Sequence, residues 1–388
     1  MCPAVLGSSP AFPERLPFAR PLLPPLEEVT ARLAPSYERG ILTNGPLTRA
    51  LEARAAEYLG VRHALAIANC TSGLMLALQS LQPKESVVVP SFTFSASAHA
   101  IAWNGRVPRF VECEPDSCQV DVTDVERALA SGGVGGILAT HVFGAPCDQD
   151  QLALLAQQHG VPLVFDAAHA FGATHGGAPV GSIGDAQVFS LSPTKLVVAG
   201  EGGIVTTDRD DVAYAVEIGR DYGNAGDYDT RFAGLNARMS ELHAAMALAS
   251  LDRVDEHLAR RRALAARYRD GLRAVPGIDV QRIDDGDEST FKDFTILVDD
   301  AAFGLDRDAL ARALDADGID TRPYFSPPVH HHQAYAELPP VELPVTDRTA
   351  ARVLSLPMFG ALSFDEVDRV VAVVAAVHEH ADEISTRA

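Results

Sequence analysis

From residue 63 onward, short apolar runs alternate with segments whose apolar positions repeat at helical spacing. HALAIAN (63–69) predicts a strand and TSGLMLALQSL (71–81) a helix. SVVVPS (86–91), VPRFVEC (107–113), GGILATHVFG (135–144) and VPLVFDAAHA (161–170) predict further strands. FTFSASAHAIAWNG (92–105), VTDVERALAS (122–131) and DQDQLALLAQQHG (148–160) predict the helices between them. Such alternation means βαβ units and a mainly parallel sheet. DAQVFSLS (185–192) and GGIVTT (202–207) predict two more strands with no helix of ordinary length between them, so the sheet turns mixed there.

Upstream, PLTRALEARAAEYL (46–59) has helical spacing and ends at Gly60, a residue suited to the left-handed position after a helix. Downstream, residues 240–272 read as one long, bent helix rich in arginine. FKDFTILVD (291–299) and VLSLP (353–357) then predict strands, and DRDALARALDADG (306–318) and FDEVDRVVAVVAAVHEHADEI (364–384) predict helices. The expected architecture is α/β: a large domain with a mostly parallel, mixed sheet sandwiched by helices, plus a smaller C-terminal α/β domain. The expected division is a Pro-rich, irregular N-terminal segment (1–40), a large domain (41–255) and a small one (256–388).

Composition narrows the function. The formal net charge of -20 argues against nucleic acid or an anionic membrane as the main partner. No apolar run is long enough to cross a bilayer, and the broken N-terminus does not read as a secretory signal. The five cysteines form no C-x-x-C pair, so neither a disulfide framework nor a zinc centre is indicated, and no metal is expected. The run HHH (330–332) fits a loop that uses one of its histidines better than a metal centre. A reducing cytoplasm is the simplest setting.

One bias raises a chemical question. Of 32 basic residues only Lys84, Lys195 and Lys292 are lysine, which leaves 29 arginines (32 − 3). Lys195 lies in SLSPTKLVVAGEGG (190–203), among small and apolar residues. The glycines follow the lysine, so this is not a P-loop, which needs them first. A lysine kept where arginine is otherwise used points to chemistry that needs a free amine, such as a Schiff base.

In open α/β sheets ligands bind beyond the carboxyl ends of the strands, and four such ends carry polar groups. At NCTSG (69–73), Thr71 and Ser72 sit where a helix begins and can serve as its cap or as donors to a phosphate. At SFTFSAS (91–97), Phe94 can pack in the core or offer a platform for a flat ring. Asp166 ends an apolar strand, where a carboxylate is costly unless paired; it can cap the next turn or meet a cationic ring nitrogen, with His169 close behind. Ser190 and Lys195 flank the fourth end. Phosphate donors, an aromatic face, a buried carboxylate and an amine are together what a pyridoxal phosphate (PLP) enzyme needs.

FDAAHAFG (165–172), VFSLSPTKLVVAGEGGIVTT (188–207) and GLNARMSELHAAMAL (234–248) resemble the signatures of the DegT/DnrJ/EryC1/StrS family of sugar aminotransferases. GPLTRALEARAAEYLG, THVFGAPCD, RPYFSPPVHHHQAY and VLSLPMF are similar to other landmarks of that family. The resemblance implies a fold-type I PLP transferase. It implies Lys195 as the Schiff-base lysine, Asp166 as partner of the pyridine nitrogen, His169 facing the ring, and Phe94 stacked on it. It further implies Thr71, Ser72 and Ser190 as phosphate ligands, with Asn236 reaching the phosphate from the partner of a homodimer with shared sites. Tyr222, Arg238, Tyr324 and His330 are its candidate substrate contacts. The sequence departs from many members at Ser192, where they carry histidine, and at Phe94, where several carry tyrosine or tryptophan.

The expected reaction moves the amino group of L-glutamate to a nucleotide-diphosphate keto-sugar. PTK followed by GEGG resembles the group that acts at C-4, so a dTDP-4-keto-6-deoxyhexose in deoxyaminosugar or antibiotic biosynthesis is expected. C-3 or cyclitol (inosose) transfer, and a PLP-binding regulatory protein without turnover, are the alternatives.

Overall fold

The computed structural model describes residues 1–386. Its centre is a seven-stranded sheet built from β1 (His63–Ile67), β2 (Lys84–Pro90), β3 (Val107–Val111), β4 (Val134–Thr140) and β5 (Leu163–Asp166). A small hairpin, β6 (Thr174–His175) and β7 (Ala178–Pro179), intervenes before β8 (Ala186–Ser190) and β9 (Gly203–Thr207) complete the sheet. The strand order is β1-β9-β8-β5-β4-β2-β3. Pairs β3·β2, β2·β4, β4·β5 and β5·β8 are parallel, whereas β9 runs antiparallel to both β8 and β1. The missing helix between residues 192 and 202 thus marks the one reversal in the sheet, as the pattern predicts.

Helices α1 (Leu26–Glu38), α2 (Pro46–Leu59), α3 (Cys70–Leu81), α4 (Ser95–Trp103), α5 (Val122–Ala130), α6 (Gln149–His159), α7 (Asp210–Gly219), α8 (Glu241–Leu251) and α9 (Val254–Leu272) surround it. Successive strand residues point to opposite faces. Val87 and Val89 pack with α3, α4 and α7, while Val88, Ile137 and Phe165 pack with α5 and α6. Both faces are covered, which is why the strands read as continuous apolar runs. Gly73 sets the seat of α3: a Cβ there would lie 2.1 Å from Ile67 and 2.7 Å from Val188.

Strands β10 (Ile278–Val280), β11 (Phe294–Val298) and β12 (Val353–Leu356) form a second, antiparallel sheet. Ile296, Leu354, Leu356, Leu310, Leu314, Val370 and Val374 form its core. Helix α9 serves both regions: Val254 and Leu258 pack against the large sheet's helices, and Leu264, Tyr268 and Leu272 enter the second core. A boundary at 255/256 therefore falls in the first turn of a helix, not in a linker. The single bent helix expected over 240–272 is two helices, interrupted at Asp252 and Arg253.

The N-terminal segment also differs from the expectation of irregular chain. Residues 26–38 form α1, which accommodates Pro35 and packs Val29 against Ala245 and Ala249 of α8. Ahead of it, Phe12 and Leu16 are buried in the second core. Asp317 accepts hydrogen bonds from the backbone N–H groups of Ala4 and Ala11, both at 3.0 Å. The prolines suppress regular hydrogen bonding without preventing the apolar side chains from docking. Phe12→Ala should lower stability by about 3–5 kcal/mol, because it leaves a cavity where a buried ring packed. A urea midpoint equal to that of the unaltered protein would refute this docking role.

Candidate active site

The carboxyl ends of β5 and β8, the start of α3 and the start of α4 meet at a cleft of about 320 Å³. Thr71, Phe94, Asp166, His169, Ser190, Ser192, Lys195, Lys292 and Tyr324 are among its walls. Lys195 follows a tight turn in which its N–H donates to the Ser192 carbonyl at 3.0 Å. The loop is closed at its base by Leu191 N–H to Gly202 O, at 2.9 Å. Antiparallel β8 and β9 are thus joined by a connection long enough to carry a lysine over the end of the sheet.

Asp166 is buried at the last position of β5. One oxygen accepts the Ser97 hydroxyl at 2.7 Å, the other the Ala168 N–H at 3.1 Å. Burial raises its pKa, opposed by Ser97, the Ala168 N–H and Lys195. These two donors, the more distant Cys70 thiol at 4.0 Å and the charge of Lys195 together fail to offset the loss of water. A cationic group in the cleft would complete its pairing.

Burial is also the largest influence on Lys195, bringing its amine from 10.5 to about 8. The Lys292 ammonium acts in the same direction, against Asp293, Cys70 and Asp166. The free amine is therefore about a tenth of the population at pH 7 and about half at pH 8, far more than for a solvated lysine, as a nucleophile or proton acceptor requires. Burial, followed by Lys195 and Lys292, holds His169 neutral by lowering its pKa.

The start of α3 opens onto the cleft. The N–H groups of its first residues have no carbonyl to bond within the helix. Gly203 lies so close that an added Cβ would stand 2.9 Å from the Cys70 nitrogen, so β9 holds this turn in place. Asn69, not Thr71 or Ser72, caps the helix by accepting the Ser72 N–H at 2.9 Å. Thr71 faces the cleft. The Ser72 hydroxyl donates to the Asn69 carbonyl at 2.9 Å, and Ser72 does not line the cleft. Of the two aromatics nearby, Phe92 is fully buried, while Phe94 is 60% exposed at the cleft wall and free to cover a ring.

The remaining candidates divide. Tyr324 lines the cleft, packed edge-on against Phe18 and stacked with Phe325. His330 does not: its Nδ1 is 2.6 Å from the Ser91 hydroxyl, which draws the ring behind the end of β2. Its Nε2 lies 3.4 Å from Asp347, which also meets His331 at 2.8 Å. Tyr222, Asn236 and Arg238 gather on a surface strip outside this chain's own cleft. There Asn236 pairs with Asp221, and Arg238 reaches Asp221 at 3.2 Å beneath the exposed Tyr222 ring. Residues not anticipated are Ser97, which orients Asp166, and Lys292, Cys70, Glu201 and Phe325 in the walls. Only Lys292 carried a signal, as the third lysine of the chain.

The donor set fits pyridoxal phosphate: an amine, a desolvated carboxylate in the same cleft, an exposed aromatic face and a helix start with free N–H groups. Residues 26–375 match the DegT/DnrJ/EryC1/StrS aminotransferase family. The structure is similar to that of DesI in the presence of its TDP-sugar product, with a TM-score of 0.93 and 38% identity over 99% of this chain and 98% of DesI. The erythromycin biosynthesis sensory transduction protein EryC1 of Saccharopolyspora erythraea is 36% identical, over 87% of this chain and 92% of that protein. The GDP-perosamine synthase of Caulobacter vibrioides is 34% identical, over 83% and 87%. The chain belongs to the DegT/DnrJ/EryC1/StrS family and is a PLP-dependent aminotransferase with the fold-type I architecture.

Proposed function

From this membership we propose that the protein transfers the amino group of L-glutamate to a nucleotide-diphosphate keto-sugar, a dTDP-4-keto-6-deoxyhexose aminated at C-4. The observation that carries the reading is the convergence of Lys195, Asp166, Phe94, Thr71 and Ser190 on one cleft. The TDP-sugar product of DesI and the sugar named for the Caulobacter relative support the substrate class. Position C-4 rests on the PTK and GEGG pattern of the lysine loop.

When bound, PLP supplies a carbonyl and an electron-withdrawing ring. Asp166, held by Ser97, would meet the ring nitrogen and favour its protonated form. Phe94 would supply an aromatic face and His169 a neutral imidazole to the ring. Thr71, Ser190 and the start of α3 would hold the phosphate. The Lys195 amine would hold the carbonyl; when free, it would take the proton from Cα of the amino donor as general base and hand it on as general acid, and would move a proton in the reverse sense for the acceptor. The exposed strip with Tyr222, Asn236 and Arg238 belongs, on this reading, to a homodimer in which each copy completes the other's cleft. No described helix is long and apolar enough to cross a membrane, and the five cysteines are free, which suits a reducing cytoplasm.

The test is a panel of dTDP-4-keto-, dTDP-3-keto- and GDP-4-keto-sugars, with an inosose, each incubated with glutamate. The 2-oxoglutarate and aminated product are read by mass. The expected result is turnover with a dTDP-4-keto-6-deoxyhexose. Reaction with the inosose alone would sink the sugar assignment. A regulatory protein without turnover would give no 2-oxoglutarate with any acceptor.

A further inference from the structure

The chain keeps three lysines. Lys84 is exposed and Lys195 has its chemistry, which leaves Lys292 to be explained. It lies at the junction between the two sheets, two residues before β11, and it lines the same cleft as Lys195. Its side chain is only 7% exposed, and that of its neighbour Asp293 is 2% exposed. The amine donates to Asp293 Oδ1 at 2.7 Å, while Asp293 Oδ2 is buried with no partner among the described residues. The rings of Phe18 and Tyr324 each stand with their centroids 5.9 Å from Nζ. The amine is therefore enclosed by two aromatic rings and one carboxylate, and its open side is the cleft.

Burying such a pair costs several kcal/mol per ion, and replacing both partners by apolar groups is often neutral or stabilising. A pair of this kind with one carboxylate oxygen unsatisfied is poorly explained by stability alone. The arrangement suits a cation held in reserve for an anionic group entering the cleft. Among the described residues that line the cleft, Lys195 and Lys292 are the only lysine or arginine side chains, and Lys195 is committed to the carbonyl. We infer that Lys292 forms a carboxylate-binding subsite that seats the amino donor, with Asp293 fixing the amine and Phe18 and Tyr324 excluding water from it. This rests on the aminotransferase reading and adds to it the residue that recognises the donor. A compact, largely desolvated ammonium matches one carboxylate. A nucleotide diphosphate is bulkier, and the about 320 Å³ cleft places this amine in its wall beside the reacting lysine, where the amino acid must sit. The subsite also gives Phe18 a role: the N-terminal segment, anchored through Phe12 and Leu16, delivers one wall of it.

The experiment uses the PLP-loaded protein and two probes, glutarate (a dicarboxylate without an amine) and dTDP, with binding read by calorimetry. Lys292→Met should weaken glutarate at least about ten-fold and leave dTDP unchanged. It should raise KM for glutamate more than KM for the keto-sugar. Because this variant strands Asp293, the double variant Lys292→Met with Asp293→Asn removes both charges, and it should show the same selective loss. Asp293→Asn alone keeps the amine but loosens its anchor, and should weaken glutarate less than Lys292→Met does. Equal glutarate binding in the double variant overturns the inference, as does a loss that falls on dTDP instead. The two readings can fail separately. Glutarate selectivity with no sugar turnover in the unaltered protein leaves Lys292 assigned and removes the sugar. Sugar turnover with glutarate binding indifferent to position 292 does the reverse.

Discussion

Lys195→Ala is expected to leave a folded protein with no measurable amino transfer, a loss of at least about 10³-fold in kcat. On the proposed reading the substitution removes both the group that captures the carbonyl and the general base, and general base catalysis alone contributes about 10²–10⁴-fold. Free glutamate turnover within ten-fold of the unaltered protein would refute the assignment. The pH dependence of capture gives a second measurement. Buried among apolar groups and beside Lys292, the amine titrates at about 8, against an ordinary 10.5. At pH 7 the free-base fraction is then about 300-fold that of a solvated lysine, since each pKa unit is a factor of ten. Covalent capture of PLP by the apoprotein, trapped with borohydride and read by mass, should rise with pH and level off above about 8. The same depression makes the folded state bind fewer protons than the unfolded chain between about 8 and 10.5. Lys195 therefore adds stability as pH climbs through that window. A capture profile still rising steeply at pH 10 would mean that the amine is solvated.

Lys195 was legible because the chain is so poor in lysine, and Asp166 because a carboxylate at the end of LVFD breaks an apolar strand. Both signals are local. The strands were legible for the same reason: burial on both faces leaves a continuous apolar run that needs no partner to be recognised. Ser97 was not legible. A serine in the first turn of a helix has many uses, and only the placement of α4 beside β5 turns it toward Asp166. Lys292 lies 97 residues beyond Lys195 (292 − 195), and no local pattern joins them; the cleft exists only once the two sheets dock. His330 shows the converse. Its surroundings in sequence suggest a ligand contact, but Ser91, 239 residues away, takes the ring. The break at Asp252 was hidden because arginine and alanine favour helix on both sides of it.

Asp166→Asn should lower kcat/KM by about 10²–10³-fold, roughly 3–4 kcal/mol, which is the scale for removing one fixed electrostatic partner of a reacting group. Asparagine keeps the shape and can still accept from Ser97, but it cannot hold a protonated ring nitrogen by charge. The apoprotein should respond in the opposite sense, and this separates a functional carboxylate from a structural one. Burial raises the pKa of Asp166 in the folded protein. The folded state then binds more protons than the unfolded chain above the ordinary carboxylate value of about 3.9. Stability is lost as pH rises through the folded pKa, so burying this carboxyl is a burden at neutral pH that it is not at low pH. Removing it should make apo Asp166→Asn at least as stable as the unaltered apoprotein at pH 7, and should flatten this part of the pH dependence. With PLP bound the order should reverse, because the ring cation compensates the carboxylate and the asparagine variant forgoes that pairing. Thermal unfolding of both proteins, with and without PLP, reads all four states. A variant less stable than the unaltered apoprotein would mean that Asp166 serves the fold through Ser97 and Ala168, and that the cleft does not depend on a cationic ligand to complete it.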